Sequence, residues 1–151
     1  MIDSVLVVGV FVLVLFCLVK LTWQDIHNNR LVDERQVYFI LGAMGIGVFV
    51  ATYNSGFLPL LAKLAIAITI SLVFGLCLKL AQVDSELIAG MALLFLTYNM
   101  RTGMVFTITL LTTSVLYLGY NKLLWKPLPQ PYLQVILVTW IITNSTYLLK
   151  W

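Results

Sequence analysis

Two aspartates, Asp25 and Asp84, stand where carboxylates are expensive. Each lies against a long apolar run, Asp25 in Thr22-Trp23-Gln24-Asp25-Ile26 and Asp84 in Ala81-Gln82-Val83-Asp84-Ser85. An ionised carboxylate at the edge of a hydrocarbon layer is costly. Desolvation favours its protonated form, and a second carboxylate nearby favours one proton held between the two. Such a pair suits hydrolysis. The ionised member takes a proton from water while the protonated member polarises a carbonyl. The same residues admit a plainer role. Asp25 then stands as an interfacial acid, and Asp84 or Ser85 caps the helix that follows.

The elements that must position these acids are membrane helices. Of 151 residues, 62% are hydrophobic and only 10% charged, with a mean hydropathy of +1.03. A soluble domain of this size needs a charged surface that this chain does not carry, so lipid is the expected solvent. Six apolar stretches approach the roughly 20 residues that a span requires. They run from Ser4 to Trp23, Val37 to Tyr53, Phe57 to Leu80, Leu87 to Met100, Met104 to about Tyr120, and Tyr132 to Leu149. The fourth is short for a full span. Polar connections fall between them: Gln24 to Gln36, the turn Asn54-Ser55-Gly56, Ala81 to Glu86, the turn Arg101-Thr102-Gly103, and Asn121 to Pro131. The predicted fold is a single all-α transmembrane domain over residues 1–151, with about six spans. The apolar N-terminus lacks a basic leader and a small-residue cleavage site, which predicts a retained first helix.

An even number of spans puts both termini on one side. The odd-numbered connections then share the other side and hold Lys20, Arg30, Arg35, Lys79, Lys122 and Lys126. Lys63, Arg101 and Lys150 fall opposite. The positive-inside rule makes the first set cytoplasmic in a plasma-membrane protein. Five of the six acids, Asp25, Asp33, Glu34, Asp84 and Glu86, fall on that same side, and only Asp3 lies opposite. Carboxylates therefore gather at one face.

The remaining polar and small residues carry modest expectations. His27 reads as a surface residue, and Asn28 and Asn29 as turn formers. Arg30 and Arg35 read as anchors at the lipid phosphates. Trp23, Trp125 and Trp151 fit an interfacial belt, which leaves Trp140 unexplained. Thr112, Thr113 and Ser114 are expected to bond between helices. Gly42, Gly45 and Gly47 are expected to let helices approach closely. Cys17 and Cys77 read as small buried hydrophobes, and with no Cys-x-x-Cys pair a structural zinc site is not expected. Nucleic acid is not an expected partner.

Three segments together resemble the type IV prepilin peptidases, most closely the archaeal prepilin and preflagellin peptidases. Asp25-Ile26, followed by Leu31-Val32-Asp33, is similar to the first aspartate motif of that family. Asp84-Ser85-Glu86-Leu87-Ile88-Ala89 is similar to the second, with Ala81-Gln82-Val83 in place of its Gly-x-Gly and Glu86 where a lysine is common. Lys126-Pro127-Leu128-Pro129-Gln130-Pro131-Tyr132-Leu133 resembles the proline-rich entry to the last helix. The three occur in the family's order and span nearly the whole chain.

The resemblance implies a membrane aspartic endopeptidase with Asp25 and Asp84 as its catalytic pair and no cofactor. It implies prepilin or pre-archaellin substrates, whose basic leader is cut from a long apolar helix at the cytoplasmic membrane face. Asp33, Glu34 and Glu86 would attract that leader, or would simply form a solvated polar loop. The cysteine-bearing segment of the bacterial members is lacking, so no methyl transfer is implied. Two other readings remain open. One is a small transporter or channel using both aspartates as a proton relay, and the other is an inactive family member acting as a scaffold.

Overall fold

Runs of Leu, Val, Ile and Ala with few charges can satisfy their backbone only internally when water is scarce, and a helix does this within one segment. The computed structural model describes residues 2–27, 34–53, 57–78, 82–123 and 133–149, with backbone alone at several helix ends, including positions 25 and 34. Among these residues the chain forms six α-helices and no strand. They are α1 (Ile2–His27), α2 (Glu34–Thr52), α3 (Phe57–Leu78), α4 (Gln82–Tyr98), α5 (Met100–Leu123) and α6 (Leu133–Leu148). The all-α expectation is met. Expectations placed on residues 28–33, 54–56, 79–81 and 124–132 fall outside the described residues.

Several boundaries differ from those read off the sequence, three of them for a clear local reason. The first helix runs on through Gln24 and Asp25 to His27, because nothing in that polar stretch breaks a helix before Asn28-Asn29. The fourth begins at Gln82, not Leu87, so Asp84 lies in its first turn, where the positive end of the helix dipole favours an acid. The expected turn at Arg101-Thr102-Gly103 is helical, and the break falls at Asn99 alone. Asn99 caps α5: its side-chain oxygen accepts from the Arg101 backbone N–H at 3.2 Å. Its own N–H donates to the Phe95 carbonyl at 3.1 Å, so the last bond of α4 and the first cap of α5 share one residue. Gly103 then tucks under Leu96, where a β-carbon would overlap the leucine side chain.

The helices close into a ring. α1 packs on α2 and α6, and α4 packs on the same two, while α3 lies against α4 and α5 lies against α4 and α6. The buried stripe of α4, Leu87, Ile88, Met91, Phe95 and their neighbours, is the centre of the core. Phe95 meets Trp140 at 5.3 Å and Phe106 at 5.2 Å between ring centroids. Trp140 also stacks on Phe11 at 6.3 Å and donates its indole N–H to the Phe11 carbonyl at 3.4 Å. The tryptophan that no interfacial belt explained is thus fully buried and joins three helices.

Contacts across the helices fix their directions. Gly47 lies against Leu94 and Val10, while Gly90 lies against Leu41 and Met44. Rising numbers on α2 therefore match rising numbers on α4, and the two run parallel. Tyr98 stacks on Tyr147, which makes α6 parallel to α4 as well. Ser71 near the end of α3 donates to the Ser85 carbonyl near the start of α4 at 2.6 Å, so α3 runs the other way. Thr113 meets Thr139 across α5 and α6 at 3.1 Å, an interhelical bond of the kind expected, whereas Thr112 bonds within its own helix. Close packing at the α2 glycines holds for Gly47 alone, since Gly42 and Gly45 are exposed with open space around them. Cys77 is exposed and Cys17 half-buried, so neither is the buried hydrophobe expected.

Among the described residues, two helices are long and apolar enough to cross a membrane, Leu58–Leu78 and Met100–Tyr120, each of 21 residues. Val8–Gln24, Arg35–Val50 and Leu133–Leu148 are shorter apolar helices. The two long ones are α3 and α5, the pair that flanks the four-helix ring.

Candidate functional site at one end of the helix ring

With α2, α4 and α6 running one way, a single end of the bundle gathers their N-termini. That same end receives the C-terminus of α1, which ends at His27 a few residues before α2 begins, and the C-terminus of α3 beside Ser85. Both aspartates singled out by the sequence belong to this end. Asp25 lies in the last turn of α1 and Asp84 in the first turn of α4.

Helical register says more than the end alone. Three turns of an α-helix take about 11 residues, so positions that far apart share a face. Position 25 continues the stripe that α1 buries with Val14, Leu18 and Leu21. Position 84 continues the stripe that α4 buries with Ile88, Met91 and Phe95. Asp84 itself is half-buried. Both acid positions therefore extend the core-facing stripes of α1 and α4, the two helices that α2 and α6 separate on either side of the ring. An acid that merely caps a helix or greets the interface can sit on any face. This register was present in the sequence as spacing but could not be read before the buried stripe of each helix was known.

The two positions do not share a level. Val10, Gly47 and Leu94 form one layer across α1, α2 and α4. At a rise of about 1.5 Å per residue, position 84 lies roughly 15 Å from that layer and position 25 roughly 22 Å. An axial offset of about 7 Å separates their backbones on that rise. Two carboxyls so placed share a proton directly only if the bundle end closes, or through a bridging water.

Ser71 holds α4 in place from outside the ring. Its hydroxyl, itself buried, donates to the carbonyl of Ser85, the residue after Asp84. Ala67, Ser71 and Gly75 form a stripe of small residues along α3 that lets α4 approach. Gln82 and Val83 form the first two residues of α4 in ordinary helical conformation. No glycine is required there.

The proposed leader-attracting acids are distributed unevenly. Glu86 is half-buried in α4. Glu34 is the first residue of α2, described by its backbone, and Asp33 lies outside the described residues. The proline-rich segment is represented by its last residue, Leu133, which is buried at the start of α6.

Two residues that sequence reasoning passed over belong to the same end. The side-chain oxygens of Gln24 and Gln36 are buried and accept no hydrogen bond among the described residues. Gln24 precedes Asp25, and Gln36 lies in the first turns of α2. Their only sequence signal was a pair of amides bounding the polar segment between the first two apolar runs. Comparisons with protein-family models, with curated proteins and with solved structures find no match for this chain.

Proposed function

We propose that this chain is a six-span membrane protein and an aspartic endopeptidase that removes the basic leader from prepilin-like or pre-archaellin precursors. The observation that carries the reading is the register of the two acids. Positions 25 and 84 both extend the inward stripes of their helices into one end of a four-helix ring. A proton relay across a bilayer calls for ionisable groups near its middle. Here the acids belong to helix ends, where a leader and its apolar helix would meet.

The surface supports a lipid setting. Phe16, Phe39, Phe49, Leu58, Leu76, Leu116 and Leu123 are all more than half exposed, and they come from four different helices. A soluble monomer rarely exposes so much contiguous apolar area. The three shorter apolar helices and the 17-residue α4 complete their spans through tilt or through bilayer thinning, and the end that carries Asp25 and Asp84 faces the cytoplasm under the positive-inside rule.

In this mechanism one aspartate is ionised and the other protonated. The ionised carboxylate takes a proton from a water, whose oxygen attacks the scissile carbonyl. The protonated carboxyl donates to that carbonyl oxygen as the tetrahedral intermediate forms. Collapse breaks the C–N bond, the leaving amine takes up the proton that the first carboxylate accepted, and the proton on the former carbonyl oxygen returns to the second carboxylate. One water is consumed, and a new carboxyl and a new amine result. The two acids act as a coupled pair, so neither is assigned as the base. Asp33, Glu34 and Glu86 add negative potential near the basic leader.

The test is cleavage by the purified full chain, reconstituted in liposomes, of a synthetic precursor with a basic leader followed by an apolar helix. Mass spectrometry should find two products divided at the junction. A folded protein that leaves several pilin and archaellin leaders intact would contradict the assignment.

A further inference from the structure

The orphan acceptors of Gln24 and Gln36 call for a donor. A buried carbonyl without a hydrogen bond is destabilising, and among the described residues this bundle carries two at one end, on helices that pack together. The layer through Val10 and Gly47 sets the register of that antiparallel pair, so position 36 of α2 falls opposite about position 21 of α1. Gln24 is then within about one helical turn, roughly 5 Å, of Gln36 along the axis. Gln24 also adjoins Asp25, and Gln36 belongs to the helix that touches both α1 and α4.

An amide oxygen without a partner accepts from an N–H or O–H donor, so two of them within about one helical turn along the axis, roughly 5 Å, suit a ligand that offers N–H groups in series. A peptide being cut at this site is such a donor. A helical substrate hides its amides, so the scissile segment must unwind. Each N–H freed by unwinding near the hydrocarbon edge needs an acceptor. We propose, resting on the peptidase reading above, that Gln24 and Gln36 bind the main chain of the unwound substrate segment, their side-chain carbonyls accepting from its N–H groups beside the aspartate pair. The two glutamines thereby favour the extended form of the substrate over its helix, and the ligand they take is an extended peptide recognised by backbone, not by side chain.

The experiment compares the wild type with Gln24→Met and Gln36→Met, which keep length and volume and lose the acceptor, on the reconstituted full chain. The substrates are the synthetic precursor and a series in which each amide flanking the scissile bond is replaced in turn by an ester, which removes one N–H. Each Met variant should raise KM roughly five- to tenfold, with a smaller change in kcat, as expected for one lost neutral hydrogen bond. Gln24→Glu and Gln36→Glu, which restore an acceptor oxygen, should recover part of that loss. One ester position should weaken binding to the wild type yet add little further in the matching Met variant, the non-additivity of two groups in direct contact. A merely structural glutamine would not produce that pairing. Unchanged KM in both Met variants overturns the proposal and leaves the peptidase reading standing, as does an identical ester penalty in wild type and variants at every position. No cleavage by the folded wild type overturns the reading itself, and the proposal with it.

Discussion

At the scale of single residues, the decisive contacts involve very small ones. Gly103 lies so close to Leu96 that a β-carbon there would overlap the leucine side chain and come within 3.4 Å of its backbone. Gly103→Ala should therefore destabilise the protein by about 1–3 kcal/mol, the usual cost of overpacking, read as a lower melting temperature in detergent. Gly42→Ala, at an exposed position with open space, is the control and should be neutral or slightly stabilising through helix propensity. The sequence marks all these glycines alike. Only the neighbours tell Gly103, Gly90 and Gly47 from Gly42 and Gly45. Trp140 makes the same point from the other direction: an interfacial belt is a composition argument, whereas a buried indole that donates to the Phe11 carbonyl belongs to a particular fold. The two aspartates were legible as costly acids at helix edges. That positions 25 and 84 continue buried stripes was not, because the stripe that each helix buries depends on its partners.

At the scale of elements, α4 is the piece on which the site depends. Its start at Gln82 brings Asp84 into the first helical turn, and Ser71 on α3 fastens the following carbonyl. Ser71→Ala removes that bond and should cost about 0.6–2 kcal/mol, the range for interhelical hydrogen bonds in membranes. If α3 holds α4 in register, the same change should also lower cleavage activity, and a variant with reduced stability and full activity would show that the clamp does not serve the site. The other end of α4 is held by the cap at Asn99. Asn99→Ala should cost about 1 kcal/mol, and Asn99→Asp, which keeps an acceptor for the Arg101 N–H, should recover most of it in the same melting experiment. Apolar length alone placed the six helices correctly and in order. It misplaced the polar boundaries, since Gln, Glu and Arg continue a helix as readily as they end one. Asp25 consequently belongs to a helix and not to the loop expected for it.

At the scale of the whole molecule, the parallel set of α2, α4 and α6 puts three helix N-termini at one end of the bundle, and the aspartates with them. In the proposed reading, the charge bias of the sequence predicts that this end faces the cytoplasm. In a chain with Cys17 and Cys77 changed to serine, Asn28→Cys and Gln130→Cys should resist a membrane-impermeant maleimide added outside cells, and Ser55→Cys should react. The reverse pattern would place the acids on the outer face, where leader removal from a cytoplasmic precursor cannot occur. The account as a whole stands on two carboxyls acting together at that end. It is tested most directly by cleavage kinetics of Asp25→Asn and Asp84→Asn, each measured beside the wild type with its melting temperature. Each substitution should lower kcat by about two to four orders of magnitude, the contribution of a positioned acid or base, while the fold persists. Cleavage at wild-type rate by either variant would contradict the aspartate pair and with it the peptidase assignment.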